Sequence, residues 1–458
     1  MYREDVRPPR SGTSSSPISF RAAGPGVIVQ GSTAVTDATS WSPTEGDAWV
    51  RSFTAAVPMQ VLLDGQRLAK ATSSSATTTG SFFFDSATSQ LFVDVGGDNP
   101  GLGHTIEASS HKYGFYVSGR SWIVIDGFDI RFQNGHGVRV SGGSNVTLSR
   151  LTVTGSVSVG IFLETPNTAS AVVDSEVSSS LGKGIKLSGV SGATLAGNDS
   201  HHNGDHGIAL TNSNANQIRG NVSHDNAVPG RRQAVGIDVY GSDGNVIRAN
   251  TLFHNQDSGM NTRSGSDDTL VVRNISFGNG DHGFDTVGGA LRTRYVSNTS
   301  YGNHMDGFSI EGSSTGTTVR NCIAVDNGLT TGEFDLYVSR DAFSGFSSDY
   351  NLFWNSSAGT AVRVNGVRYA TLSAFRSATL HEDHGVDADA RLVAPAAGDL
   401  SLAGGSPAID AADAGAGGFD LFDHDGAAPY DDPATADTGL GAGGLPGYAD
   451  LGALEWTP

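Results

Sequence analysis

The sequence predicts an all-β fold, a right-handed parallel β-helix. Three observations carry it: a glycine that returns about every 24 residues, period-two patterning between the glycines, and asparagines that keep the same spacing. Gly137, Gly160, Gly184, Gly207, Gly236, Gly259, Gly283 and Gly307 hold this interval to within one position, except between Gly207 and Gly236, where one repeat is longer. A fixed period of this size marks a solenoid, because one coil cannot bury its own apolar face and must stack on its neighbours. Segments such as VRVSGGSNVTLSRLTV and SWIVIDGFDIRF alternate apolar and polar residues, the periodicity of strands, and helical periodicity is almost absent.

The elements follow in order along a single domain, 1–458. Tyr2 and Val6 make a short strand, SGTSSS is a turn, and the segments from Pro17 to Phe20 and from Val27 to Val29 are further strands. This opening reads as the interior of a fold. It has no basic segment followed by an apolar one, so no signal peptide is visible, and the expectation is a secreted protein whose N-terminus has been lost. Residues 44–110 break the period with TEGDAWVRSF, QVLLDGQRLAKA and SFFFDSATSQLFVDV, expected to form a β-hairpin insertion. Regular coils occupy 111–345. Within them the longer repeat between Gly207 and Gly236 holds a loop near Val228, Pro229, Gly230, Arg231, Arg232 and Gln233. Residues 346–458 read as irregular coils and a C-terminal cap that covers an unpaired edge.

Composition narrows the partners. The formal charge is −19, from 47 acidic and 28 basic residues, which argues against nucleic acid and anionic membranes. No stretch reaches the roughly 18 apolar residues of a membrane span. Cys322 is the only cysteine and reads as a small residue within a coil. A monomer is expected.

Once the coils are in register, the chemistry can be read in columns. The residue after each marker glycine is apolar (Val138, Ile161, Ile185, Ile208, Ile237, Met260, Phe284, Phe308) and points inward, so the next residue points outward. Asn198, Asn221, Asn250, Asn274, Asn298 and Asn321 form one corner column; Asn203, Asn226, Asn255, Asn279, Asn303 and Asn327 form another. Both suit stacked amide hydrogen bonds at turns. The outward column two past the glycine ends in Asp238, Asn261, Asp285 and Ser309, and the column two before it contains Asp257 and Asp281. Tyr240, Arg263 and Glu311 border the same surface, whereas His206 and His304 read as structural corner residues. Strands about 4.8 Å apart bring Asp238, Asp257, Asp281 and Asp285 close enough to repel one another. A calcium ion held by these carboxylates is the economical neutraliser.

The coil length, the asparagine columns, the opening YREDV, SGT and PISFRA, and the closing SPAID and DLGALE resemble the β-helix superfamily of pectate lyases, alginate lyases, epimerases and glycoside hydrolases. HNQDSG, followed one repeat later by GNGDHGFD, is most similar to the calcium site of the family 9 pectate lyases. That resemblance implies Asp257, Asp281 and Asp285 as calcium ligands, with His282 in place of one aspartate. It also implies a lysine base where this chain has Asp306, and no lysine follows Lys186. The expectation is therefore a calcium-assisted lyase that cleaves an acidic, uronate-containing polysaccharide by β-elimination. Arg263 and His282 are candidate bases in the missing lysine's stead, and Arg292 and Arg294 join Tyr240 and Glu311 as candidate substrate contacts. Two alternatives stay open. One is a glycoside hydrolase using a carboxylate pair from Asp285, Asp306 and Glu311, which Asp306 in the lysine's place favours. The other is a carbohydrate-binding β-helix without catalysis.

Overall fold

A computed structural model describes residues 1–357 and 361–458. Among the described residues its body is a parallel β-helix of three long sheets, of 12, 11 and 11 strands, to each of which a coil contributes one strand, with Val367–Tyr369 added antiparallel at the end of the first. In the coil led by Gly259 these strands are Met260–Arg263, Leu270–Val272 and Ile275–Phe277; the three sheets are called first, second and third in that order. Pairing follows the predicted register. Ile237, Met260, Phe284 and Phe308 are successive partners, as are Asp238, Asn261, Asp285 and Ser309.

The inward ladders make the core. Ile161, Ile185, Ile208, Ile237, Met260, Phe284 and Phe308 are all fully buried, each worth roughly 1.5–3 kcal/mol relative to exposure. The Phe284 and Phe308 rings stack at 5.1 Å, close to the strand spacing. Two inward positions break the apolar pattern, Thr262 and Thr286. Tyr295 lies opposite, and its hydroxyl is 2.7 Å from Thr286 Oγ1, so a buried polar group meets a buried partner.

The marker glycines are required by space rather than by backbone angle. A Cβ at Gly283 would lie 2.2 Å from Ser300 Oγ and 2.8 Å from the Gly307 carbonyl, and Gly259 is crowded in the same way by Ser276 and Gly283. What crowds them includes the asparagine ladder. The Asn255 amide donates to Asn279 Oδ1 at 3.1 Å and to the Ser223 carbonyl at 3.0 Å, and the Asn279 amide donates to Asn303 Oδ1 at 2.9 Å. The other ladder ends differently from the predicted one. Cys322, not Asn321, follows Asn298, accepting its amide N–H at 3.4 Å, while Asn321 turns to the Asp413 backbone.

The inserted segment begins earlier than the composition break suggested. Ile18–Arg21 and Ile28–Gln30 already pair in parallel with Ile123–Asp126 and Asp129–Arg131, forming the first coil. Two small sheets then intervene, running from Ser32–Ala34 to Ile106–Ser109, around a core that includes Trp41, Phe53, Phe82 and Leu91. At the far end the helix Leu372–Thr379 buries Leu372 and Phe375 against the last coils. The C-terminal segment continues beyond this cap. It runs back along the second and third sheets, where Arg273 donates to the Gly452 carbonyl and pairs with Glu455 at 2.7 Å, and Leu400 and Ala453 pack on Ile275. Its contacts lie away from the outward column of the first sheet. No helix is long and apolar enough to cross a membrane among the described residues.

Candidate functional site

The outward face of the first sheet is built from the corner before each marker glycine and the strand after it. Three histidines occupy the position just before a marker glycine, and each solves the same local problem. His136, His206 and His282 accept at Nδ1 the backbone N–H of the next coil, from Val159 at 3.3 Å, Val235 at 3.1 Å and Asp306 at 3.1 Å. A neutral ring that accepts at Nδ1 carries its proton on Nε2. The latter two thus aim an N–H at carboxylates: His206 Nε2 lies 3.5 Å from both Asp205 and Asp238, and His282 Nε2 lies 3.6 Å from Asp281.

Around Gly207 and Gly236 the surface is cationic and internally paired. Asp238 is almost fully buried and takes a two-pronged contact from Arg263, Nε to Oδ1 at 2.6 Å and Nη2 to Oδ2 at 3.0 Å. The Asp238 hydrogen bond, working against burial, raises the Arg263 pKa still further. Arg263 is thus a fixed cation, not a proton acceptor, and it lies 4.8 Å from the Tyr240 ring centroid. With both oxygens engaged, Asp238 does not stand free for an ion. Lys183 pairs with Asp205. The loop that lengthens one repeat swings Arg232 to within 3.3 Å of Asp281. A cleft of about 460 Å³ lies between these groups, lined by Lys183, His206, Arg232, Asp257, Asn261 and Arg263 among others.

Around Gly259 and Gly283 the acids converge. Burial, then the neighbouring Asp281 carboxyl, lifts the Asp257 pKa to about 6. Burial lifts Asp285 to about 7, with Glu311, Asp281 and Asp257 adding to the rise and His282 opposing it. Ligand atoms of His282, Asp285 and Glu311 lie within 4.8 Å of one another. His282 itself shifts up to about 9. Burial lowers it, but Asp306, Asp285 and Asp281 together outweigh burial. Its Nδ1 faces two Asp306 groups, the amide N–H at 3.1 Å and Oδ2 at 3.3 Å. A ring with its proton on Nε2 uses the first; a ring protonated at Nδ1, neutral or charged, donates to the second. Asp306 spends its other oxygen on the Phe334 N–H at 2.8 Å, which anchors it as a positioning group for His282.

Several oxygens on this half lack partners. Asn261 Oδ1, Asp281 Oδ1, Asp285 Oδ1 and Ser309 Oγ are buried without a hydrogen-bond partner, a costly state for carboxylate oxygens. Oxygen-only ligands from adjacent coils match what a calcium ion takes. These residues fit such an ion.

Two predicted contacts lie elsewhere. Arg292 sits at the corner after the first sheet and pairs with Asp267 and Asp268 on the preceding coil. Arg294 opens a strand of the second sheet and reaches toward the Gly417 carbonyl of the C-terminal segment. Both are taken out of the site by the turn that carries the chain from the first sheet to the second. Lys183, Asp205, His206 and Arg232 were missed. The first three stand in the corner columns the register defines, but Arg232 lies in the period-breaking loop and no column contains it.

The right-handed β-helix region family model matches at 102–231, 159–324 and 231–366, more than half of the chain. The chain belongs to that family. No curated protein sequence matches it. Among solved structures it is similar to pectate lyase Pel9A, at 14% identity and a TM-score of 0.48, over 75% of this chain and 88% of that one. It is similar also to XylC in complex with xylose, at 12% identity and 0.48 over 78% and 69%. The Azotobacter vinelandii mannuronan C-5 epimerase AlgE6 A-module aligns at 16% identity and 0.46 over 54% and 79%.

Proposed function

We propose that this chain is a secreted enzyme that cleaves an acidic polysaccharide along the outward face of the first sheet, by calcium-assisted β-elimination. The observation that carries the reading is a cleft lined by the cations Lys183, Arg232 and Arg263 on one side and by Asp257 and Asn261 on the other, with the unpartnered oxygens of Asp281 and Asp285 on the adjacent coil. A chain with a formal charge of −19 repels a polyanion overall. Local cations with planar guanidinium forks are what a uronate carboxylate needs in order to dock.

The residues divide the work. Arg263, held rigid by Asp238 and Tyr240, orients a sugar carboxylate, and Arg232, 3.3 Å from Asp281, lines the same cleft. Asp257, Asp281, Asp285 and Asn261 Oδ1 would hold the calcium ion, which when bound withdraws charge from the substrate carboxylate and makes the adjacent C–H more acidic. His282 is the group placed to take that proton, and Nε2 can accept it only in the neutral tautomer that carries its proton on Nδ1 and turns it to Asp306 Oδ2. Asp306 holds the ring in position and tunes it.

A second reading rests on a separate observation. Asp285 and Glu311 both have raised pKa values, with burial the largest cause, and their ligand atoms are within 4.8 Å. A protonated and an ionised carboxyl at about 5 Å would serve a retaining glycosidase. Assay of pectate and alginate with and without a chelator separates the two. Elimination leaves an unsaturated, ultraviolet-absorbing sugar and requires the cation; hydrolysis leaves reducing ends without that absorbance.

A further inference from the structure

The third sheet carries a second cluster of side chains, remote from the cleft face. His201 and His224 are register partners on adjacent coils, ending the strands Asp199–His201 and Val222–His224. Their rings stack at 4.9 Å and 11°, and the stack continues through Phe253 at 4.6 Å and Phe277 at 5.1 Å. Packing alone would be served by phenylalanine throughout, as the later coils demonstrate. The two histidines add nitrogen atoms at one end of the stack.

Those nitrogens are oriented. On one ring edge, His224 Nε2 lies 3.3 Å from Asp199 Oδ1 and His201 Nε2 lies 3.4 Å from Glu176 Oε1. The Glu176 carboxylate takes the Nε2 proton of His201 and leaves its Nδ1 lone pair facing the other way, while Asp199 lies beside His224 Nε2 with that oxygen otherwise unpartnered. A carboxylate behind the far nitrogen is the arrangement that fixes the tautomer of metal-binding histidines. On the Nδ1 edge, His201 Nδ1 lies 2.8 Å from His202 Nδ1, and His224 Nδ1 lies 2.7 Å from Asp225 Oδ2. Ligand atoms of His202, His224 and Asp225 lie within 4.8 Å of one another. Glu176, Asp199 and Asp225 have no lysine or arginine partner among the described residues, so histidine is their only basic neighbour.

We propose that His202, His224 and Asp225 form a binding site for one d-block divalent cation of the zinc type, with His201 stacked on His224 and its Nδ1 beside His202. Two imidazole nitrogens and one carboxylate oxygen, with water in the fourth position, are a donor set that zinc and cobalt favour, whereas calcium and magnesium take oxygen. His202 and Asp225 both occupy the left-handed corner position that Gly155 and Gly278 fill on other coils, where a bare turn needs no side chain. The site bridges two coils and leaves the cleft face untouched.

The test uses the full chain stripped of metal, titrated with cobalt(II) by visible absorption and with zinc by calorimetry. The expected result is a tight single equivalent with the intense visible bands of four-coordinate cobalt. His224→Phe extends the phenylalanine stack and keeps the fold while removing a ligand; His202→Ala alters an exposed side chain. Each should weaken binding by about tenfold or more, and Asp281→Asn in the cleft should not change it. Absence of a tight equivalent would overturn the proposal. So would unchanged affinity in both histidine variants, or loss in Asp281→Asn alone.

Discussion

Burying Asp285 with one oxygen unpartnered, at a cost that the neighbouring His282 offsets only in part, should show in the pH dependence of folding. Its pKa is lifted from 3.8 to about 7 chiefly by burial, so the folded protein keeps a proton that the unfolded chain has already released. Stability therefore falls as pH rises from the unfolded value toward the folded one. Between about pH 4.5 and about pH 6.5 the loss from this one group is about 3 kcal/mol, at ~1.4 kcal/mol per pH unit. His282 does not interfere, because below its ordinary value of 6.5 it is protonated in both states; its stabilisation is lost only higher, as pH rises through about 9. Glu382 and Asp450 are likewise raised by burial, and they contribute equally to wild type and variant. Asp285→Asn, near-isosteric and uncharged, should remove the Asp285 slope alone. Denaturant unfolding of chelated protein at the two pH values should give a wild-type loss exceeding the variant's by about 3 kcal/mol. Calcium at the higher pH should restore the wild type and not the variant. Identical pH dependences would refute the claim that Asp285 is a buried acid only partly compensated by His282.

Other outcomes follow from the same geometry. Calcium affinity should rise with pH from about 6 to about 7, as Asp257 and Asp285 lose their protons, and calorimetry across that range reads it directly. Arg263→Ala leaves the buried Asp238 unpaired and should cost about 3–5 kcal/mol by denaturant unfolding, whereas the double change with Asp238→Asn should recover much of that and still lack activity. Gly283→Ala forces a Cβ against Ser300 Oγ and the Gly307 carbonyl and should lower stability by roughly 1–3 kcal/mol, seen as a drop in Tm. If His282 accepts the proton, kcat/KM on a uronate polymer should climb toward pH 9, and Asp306→Asn should shift that limb down in pH, because a carboxylate that raises the histidine is gone.

Much of the fold was legible because a solenoid repeats its constraints. The glycine column marked the corner, and its physical cause, crowding by Ser300 and Asn303 at Gly283, recurs at each coil. The same register placed Asp238, Asn261 and Asp285 on successive strands before any contact was known. What it could not convey was pairing across columns. Asp238 sits in the acid column, yet Arg263 and His206 claim it, so it belongs to the cationic half. Arg292 and Arg294 followed the repeat closely in sequence but lie beyond a turn that changes sheets. Arg232 lay in the one loop that breaks the period, where a column gives no direction. The C-terminal segment also escaped, since irregular Gly, Ala and Asp-rich chain carries no periodicity to show that it runs back along two sheets.

The most direct test of the central claim is product analysis on a uronate polymer by wild type, by chelated wild type and by Asp281→Asn. The account predicts an unsaturated, ultraviolet-absorbing product from wild type, lost on chelation, restored by calcium and much reduced in the variant at any calcium concentration that saturates wild type. Reducing ends without that absorbance, unaffected by chelation, would contradict it.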